Sequence, residues 1–311
     1  MRRQEVLPTL LPVALFLFTL SCCSCRDVAT NPESNPPVAS ADRRVVDPDL
    51  VFYSDRQGQM EIYALNSTSG RSVRLTRSRA YDINPASSPD GERIAFESGR
   101  DGNGEIYVMN HDGSGETRLT QNGSSDARVH WSPDGAHLAF CSDRAGTWDV
   151  YVMNADGTGV TRIGATIYAD VGPHWSPDGT KIAFESTRDG DYDIFVMNAD
   201  GSGAVNLTRS EGTDWKPGWS PDGLQITFAS DRDGNFEIYR MNADGSSPTR
   251  LTHEVSNDDD PAWSPDGASI AFQSDRNGSW DLMRIGIDGT ALQPLTHGRS
   301  NDLGVDWLRA P

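Results

Sequence analysis

Lysine is nearly absent from this chain: of 27 basic residues only Lys181 and Lys216 are not arginine. Cysteine is confined to Cys22, Cys23, Cys25 and Cys141, so the body of the chain has no disulfide framework. Positive charge is in deficit as well. Against those 27 bases stand 45 acids, giving a net charge of −18 and a pI near 4.6. Such a surface repels a phosphate backbone and excludes nucleic acid as the expected partner. Catalytic signatures are missing too: there is no Gly-x-Ser-x-Gly elbow, no HExxH and no phosphate-cradling loop.

Turn formers are abundant instead. Thirty Gly and 18 Pro punctuate the 311 residues too densely for a helical bundle and suit many short strands. The hydrophobic fraction of 36%, with Gly added, is that of a globular chain rather than a disordered one. Length alone allows about two domains.

The N-terminus reads as an address. Met1-Arg2-Arg3 precedes an apolar run over 7–20, too short for a permanent span and interrupted by Pro8 and Pro12. The following Ser21-Cys22-Cys23-Ser24-Cys25 is similar to a bacterial lipobox. Cys22 has the small residue before it but Thr19 where an aliphatic residue belongs. Cys23 has Leu20 but follows Cys22. Residues 1–25 are therefore expected to be a signal peptide, with lipidation at Cys22 or Cys23; ordinary cleavage and an uncleaved anchor are the alternatives. Residues 26–47, rich in Pro, Ser, Asn and Asp without periodicity, are expected to form a disordered tether. Cys141 reads as an ordinary strand residue, since its counterparts along the repeat are Tyr53, Glu97, Glu185, Ala229 and Gln273.

A strict repeat decides the rest. Ser-Pro-Asp-Gly begins at Ser88, Ser132, Ser176, Ser220 and Ser264, a step of 44 residues each time. Trp131, Trp175, Trp219 and Trp263 precede four of these, and Trp307 falls one further period on. Periods of this length signal a propeller or solenoid rather than two independent domains. Within residues 214–252, strands are expected over 217–220, 226–230, 237–241 and 249–252, separated by Asp-Gly turns. Each unit is thus a four-stranded antiparallel blade. The first unit enters at its second strand near Val51, and the chain finishes on a first strand at 305–308. Residues 48–311 are expected to be an all-β, six-bladed β-propeller, closed by three N-terminal strands plus one C-terminal strand.

The motifs Pro-x-Trp-Ser-Pro-Asp-Gly, Ile-Ala-Phe-x-Ser-Asp-Arg and Tyr-x-Met-Asn-x-Asp-Gly-x-Gly resemble the TolB-type, WD40-like (PD40) propeller repeats. The resemblance runs from about residue 48 to the end of the chain. It implies a protein-binding platform and supplies no active site. TolB-type proteins carry an additional N-terminal α/β domain; here residues 26–47 stand in that place, which puts a role in the Tol system in doubt.

Strand polarity puts the Ser-Pro-Asp-Gly turns on one face. The Ser-Asp-Arg loops and the variable blade-to-blade connections lie on the other. That loop-rich face is where the sequence places a binding site. Asp82, Asp126, Asp170, Asp214, Asp258 and Asp302 open the innermost strands and are read as a ring at the channel mouth. Arg56, Arg100, Arg144, Arg188, Arg232 and Arg276, and a second set of acids at Glu61, Glu105, Asp149, Asp193, Glu237 and Asp281, leave a surplus of six negative charges. The ring is read both as an internal salt-bridge network and as an attractor for a cation or basic peptide. Trp215 and Tyr168 are placed in the connections, and His130 and His174 on adjacent inner strands facing the channel.

These features predict a non-catalytic, monomeric scaffold displayed on a bacterial cell envelope. It would bind a protein or peptide with a cationic segment and meet the membrane only through an N-terminal lipid anchor. No cofactor is expected, although the channel leaves room for a single Ca²⁺. The alternative is a channel-centred lyase or hydrolase, metal-dependent in one version, using Arg128, His130, His174, Lys216, Asp260 and Asp306.

Overall fold

A computed structural model describes residues 48–308. The expected leader, Cys22, Cys23 and the tether lie outside the described residues. Six four-stranded antiparallel sheets make up the described chain. Blade one combines residues 302–307, 50–54, 61–66 and 71–74 in that spatial order. Blades two to six are uninterrupted meanders whose inner strands are Asp82–Ser87, Asp126–Trp131, Asp170–Trp175, Asp214–Trp219 and Asp258–Trp263. Closure is therefore by three early strands and one late one, with Leu50 opposite Trp307 and Val51 opposite Asp306. Pairing the two termini removes the edges that a linear array would expose.

Alternation along the second strand explains how blades stack. Phe52, Phe96, Phe140, Phe184, Phe228 and Phe272 are all fully buried, one per blade, in clusters that span adjacent blades. Burying each ring contributes about 2–3 kcal/mol. The Ser-Pro-Asp-Gly turn follows from its own chemistry. In the first copy Gly91 takes φ 73° and donates its N–H to the Ser88 carbonyl at 2.9 Å. The Asp90 carboxylate accepts from the Ser88 hydroxyl and from the Glu92 N–H. Glycine supplies the positive φ, and the Ser–Asp pair fixes the turn.

Two details differ from the sequence reading. The fourth strand is only Thr249–Arg250 in blade five, because Thr252 turns its hydroxyl onto the Ile238 N–H and the Glu237 carboxylate. The inner strand starts earlier, at Asp214, and carries a bulge that hides its pattern. The same bulge recurs in every blade at the third inner-strand residue. Asn84, Arg128, Gly172, Lys216, Asp260 and Gly304 all take positive φ, between 51° and 60°. For the four non-glycine residues this conformation costs about 1–2 kcal/mol each. Among the described residues no helix is long and apolar enough to cross a membrane.

Candidate functional site

The bulge residues form the floor of a central cavity of about 200 Å³. Its lining consists of the last four residues of the inner strands, the prolines of the Ser-Pro-Asp-Gly turns, Pro89, Pro133, Pro177, Pro221 and Pro265, the turn residue Ser176, and Glu185 from the second strand of blade four. The cavity thus belongs to the Ser-Pro-Asp-Gly face, and no residue of the blade-to-blade connections lines it. Within it converge Arg128, His130, His174, Lys216, Asp260 and Asp306. The His130 and His174 rings lie against each other, 3.6 Å between centroids. Trp131, Trp219, Trp263 and Trp307 each donate an indole N–H to an inner-strand carbonyl of the preceding blade at 3.1–3.2 Å. In blade four the Trp175 indole N–H is buried without a hydrogen-bond partner, while the Trp175 backbone N–H reaches His130 Nδ1 at 3.3 Å.

Charges on the floor are held by the second strands. Glu185 is 1% exposed; its Oε2 accepts from Arg128 Nη1 at 2.7 Å and its Oε1 from the Lys216 N–H at 2.9 Å. Lys216 Nζ lies 3.2 Å from Asp260 Oδ2. Gln273 accepts the Gly304 N–H at 3.0 Å and donates to Asp259 at 3.2 Å. Asn84 donates to Glu97 at 3.1 Å. Burial raises the Glu97 carboxyl above its ordinary range. Burial, reinforced by the adjacent Asp260 charge, pushes Asp259 up to about 6. Three acids (Glu185, Asp260, Asp306) therefore line the cavity with two cations, Arg128 and Lys216, and the acids Glu97 and Asp259 lie behind its wall. The same column that seems bland at Cys141 carries these inter-blade ties. Cys141 itself is buried, its thiol pushed up to about 12 by burial and directed at the Ala127 carbonyl.

Around the mouth the five turn aspartates, Asp90, Asp134, Asp178, Asp222 and Asp266, are exposed. In each the neighbouring serine hydroxyl, and then a backbone N–H, holds the carboxyl below the usual carboxylate range. The rim is consequently anionic wherever the protein is folded at neutral pH, and the floor beneath it has an acid excess.

The model of the TolB beta propeller domain matches residues 79–171, 163–252 and 216–307. The chain belongs to the TolB beta propeller family. A "Protein TolB homolog" of Chlorobium luteolum is 46% identical over 54 residues, which is 17% of this chain and 12% of that protein. The crystal structure of TolB from Acinetobacter baumannii superposes with a TM-score of 0.75 at 19% identity, over 84% of this chain and 66% of the other. The structure of a putative TolB from Agrobacterium tumefaciens gives 0.69 at 22% identity, over 85% of this chain and 100% of the other. Kuenenia stuttgartiensis hydrazine synthase gives 0.70 at 14% identity, over 90% of this chain and 50% of that one. The propeller therefore fixes the fold and leaves function to the site.

In this TolB-type propeller the expected aspartate ring is spent internally. Asp82, Asp126, Asp170, Asp214, Asp258 and Asp302 are at most 3% exposed, and none lines the cavity. Each is paired with its arginine at 2.7–3.0 Å. The arginine Nε is anchored in turn on a second-strand serine, and in five blades its guanidinium lies over two aromatic rings. The surplus of six is also smaller than the sequence count. Arg74, Arg118, Arg162 and Arg250, from the fourth strands, pair with Glu61, Glu105, Asp149 and Glu237. Only Asp193 and Asp281 lack an arginine.

Trp215 lies not in a connection but second in an inner strand, stacked on Phe236 at 4.4 Å, because the strand begins earlier than its pattern shows. Tyr168 stands in the connection between blades three and four, 43% exposed, beside Ile167 at 81%. His130 and His174 face the cavity as read. Among the described residues no three His, Cys, Asp or Glu side chains are grouped to hold a metal ion. Asn84, Glu185 and the two bulge glycines were not legible as site residues. The available signal was the column 44 residues apart from Arg128, in which two of six members are glycine.

Proposed function

We propose that the chain is a non-catalytic, monomeric scaffold of the cell envelope, exported and lipid-anchored through Cys22 or Cys23. It docks a cationic segment of a protein or peptide on the Ser-Pro-Asp-Gly face. The observation that carries this reading is the anionic rim of Asp90, Asp134, Asp178, Asp222 and Asp266 around a cavity whose charged side chains, Arg128, Lys216, Asp260 and Asp306, differ from blade to blade. A rim with an excess of negative charge, five aspartates against Arg93, Lys181 and Arg284 nearby, steers a basic partner toward the cavity. Retaining Asn84, Arg128, Lys216 and Asp260 at positive φ, where glycine serves in two blades, is strain of the kind that clusters at functional positions. The family supports a binding role as well, since its repeats bring no catalytic motif. The loop-rich face has weaker support, because its aspartates are buried in ion pairs.

The test replaces Asp134, Asp178 and Asp222 together by Asn. Asparagine keeps the side-chain acceptor that the turn uses, so the fold is retained while charge is removed. Affinity for the partner recovered by crosslinking should fall, and its salt dependence should flatten. Unchanged affinity and unchanged salt slope would refute docking at this face.

A channel-centred lyase or hydrolase is the second reading, favoured by the convergence of Arg128, His130, His174, Lys216, Asp260 and Asp306 in one cavity. Against it, Arg128 is tied to Glu185 and Lys216 to Asp260.

A further inference from the structure

The seam between blades six and one is built unlike the others. At the turn from third to fourth strand, blades two to six carry Gly113, Gly157, Gly201, Gly245 and Gly289, all at positive φ. These turns press on the preceding blade: a Cβ on Gly113, Gly157 or Gly245 would lie 2.8 Å from the carbonyl oxygen of Leu75, Leu119 or Leu207. Blade one has Ser69 at that register and bends instead at Gly70, φ 67°, where a Cβ would meet nothing within 4 Å. A cavity of about 260 Å³ opens beside this turn, lined by Gly70 and by Leu295, the blade-six counterpart of those leucines. Arg56, Ser72, His297, Ser300 and Asp302 supply its polar wall with Thr296.

Arg56 belongs to a column of arginines, two of which hold a second acid besides their inner-strand aspartate. Arg100 Nη1 meets Glu116, and Arg276 Nη1 lies 3.8 Å from Glu254. Neither acid has an acidic counterpart at blade one: Ser72 stands at the register of Glu116 and Gly298 at that of Glu254. Blades three to five also lack the second acid and carry the apolar Val160, Ala204 and Pro248 at the Glu116 register. At blade one that register opens on the cavity. Arg56 is in its wall with 26% of the side chain exposed, the guanidinium held over Phe52 and Tyr63. Ser54, Ser72 and Asp302 take three of its five N–H groups.

Charge in this sector has the opposite sign to the molecule as a whole. In a chain of net charge −18, residues 71–79 contain Arg71, Arg74, Arg77 and Arg79 and no acid, and residues 297–301 contain His297 and Arg299 and no acid. Arg71, Arg77, Arg79 and Arg299 are exposed. The acids of the sector are already held: Asp302 by Arg56, Glu61 by Arg74 and Asp55 by the Asn301 amide. Asp281, close to Asp302 and His297, is 1% exposed, and burial raises its carboxyl.

We infer that the seam between blades six and one binds an acidic segment of a partner protein, one carboxylate entering the cavity onto Arg56. A carboxylate is the group that Arg100 and Arg276 hold from within the chain, and a guanidinium fixed on aromatic rings presents a planar fork to it. The exposed arginines around the cavity draw the rest of such a segment to this sector. No residue lines both this cavity and the central one, so the site stands independently of the docking face proposed above.

The experiment uses the full chain and titrates it calorimetrically at low salt with the peptide acetyl-Gly-Glu-Val-Glu-Gly-amide. The natural chain should bind this peptide, and the counterpart with Gln for Glu should bind about tenfold more weakly. Ser72→Glu gives blade one the acid that blade two has. It should fold, melt no lower than the natural chain, and bind the acidic peptide about tenfold more weakly, its own carboxylate having taken Arg56. Gln121→Glu adds the same charge in the connection between blades two and three and should leave the affinity unchanged. Equal affinity for the two peptides, undiminished affinity in Ser72→Glu, or equal weakening by Gln121→Glu would overturn the assignment. Binding to phosphatidylglycerol vesicles without binding to the peptide would overturn it as well. If Ser72→Glu fails to fold, Arg77→Gln combined with Arg299→Gln takes its place: weakened binding supports the site, and unchanged affinity overturns it.

Discussion

Glu185 of blade four accepts a hydrogen bond from the Lys216 backbone N–H of blade five, 2.9 Å away. Its other oxygen holds Arg128 of blade three at 2.7 Å. One carboxylate thus ties three consecutive blades at the floor of the cavity. It also fills the space that Gly172 leaves: a Cβ there would come within 2.7 Å of Glu185 Oε1.

Glu185→Ala should therefore destabilise the propeller by about 3 kcal/mol, the low end for breaking a buried pair, because Arg128 is about a third exposed to the cavity. Glu185→Gln keeps an acceptor for the Lys216 N–H and should cost less than half as much. Denaturant unfolding of both variants checks the order; equal losses would place the whole effect in packing.

Gly304→Ala is the sharper backbone test. Gly304 has φ 58°, and a Cβ there would lie 2.2 Å from the Tyr53 ring, which is enclosed in the same wall. Left-handed strain and overpacking together predict a loss of about 3 kcal/mol. The contrasting Asn84→Gly, at φ 51°, relieves strain at the same ring position but removes the hydrogen bond to buried Glu97, so the two effects oppose and its loss should stay well below that of Gly304→Ala.

Closure of the ring predicts the effect of truncation. Removing residues 301–311 takes away the strand that pairs with residues 50–54, along with the Arg56–Asp302 and Asn301–Asp55 contacts near its start. Melting temperature should fall sharply and blade one should lose amide protection. A transition at the original temperature would contradict closure by the C-terminal strand.

Asp259 predicts a pH dependence with a definite sign. Its folded pKa of about 6 exceeds the unfolded value of about 3.9. Between those values the folded state binds the extra proton, so this residue's contribution to stability falls as pH rises from about 4 to about 6. The rim aspartates act oppositely and lower down: their depressed values give stability that is lost as pH falls below about 4. Asp259→Asn should flatten the profile between pH 4 and 6 alone. A parallel profile for variant and natural chain would remove Asp259 from the account.

The frame of this molecule was legible because it is repeated. Phe96 and its counterparts, the Ser-Pro-Asp-Gly turns and the 44-residue step each point to one architecture, and the entry at Val51 with the exit at Trp307 even gives the closure. The site was less legible for a physical reason. A bulge at Lys216 breaks the period-two pattern by which an inner strand is recognised, so the strand's alternation showed only from Pro217 and Trp215 looked like loop. The charges misled in another way. Arg118 and Arg250 stand on two-residue outer strands, one strand over from the acids they neutralise, and counting only the charges that open or end the longer strands overlooked them. His130 and His174 were placed correctly because their register, two residues past the bulge, is the same in both blades.

The central claim is that partners dock on the Ser-Pro-Asp-Gly face. It is tested most directly by site-specific photo-crosslinking in the source organism, with the photoreactive residue at Pro177 on the rim or at Tyr168 on the loop-rich face. The account predicts a discrete adduct from position 177, lost when Asp134, Asp178 and Asp222 are all changed to Asn, and none from position 168. An adduct formed only from position 168, or one from 177 that survives loss of the rim charge, would contradict it.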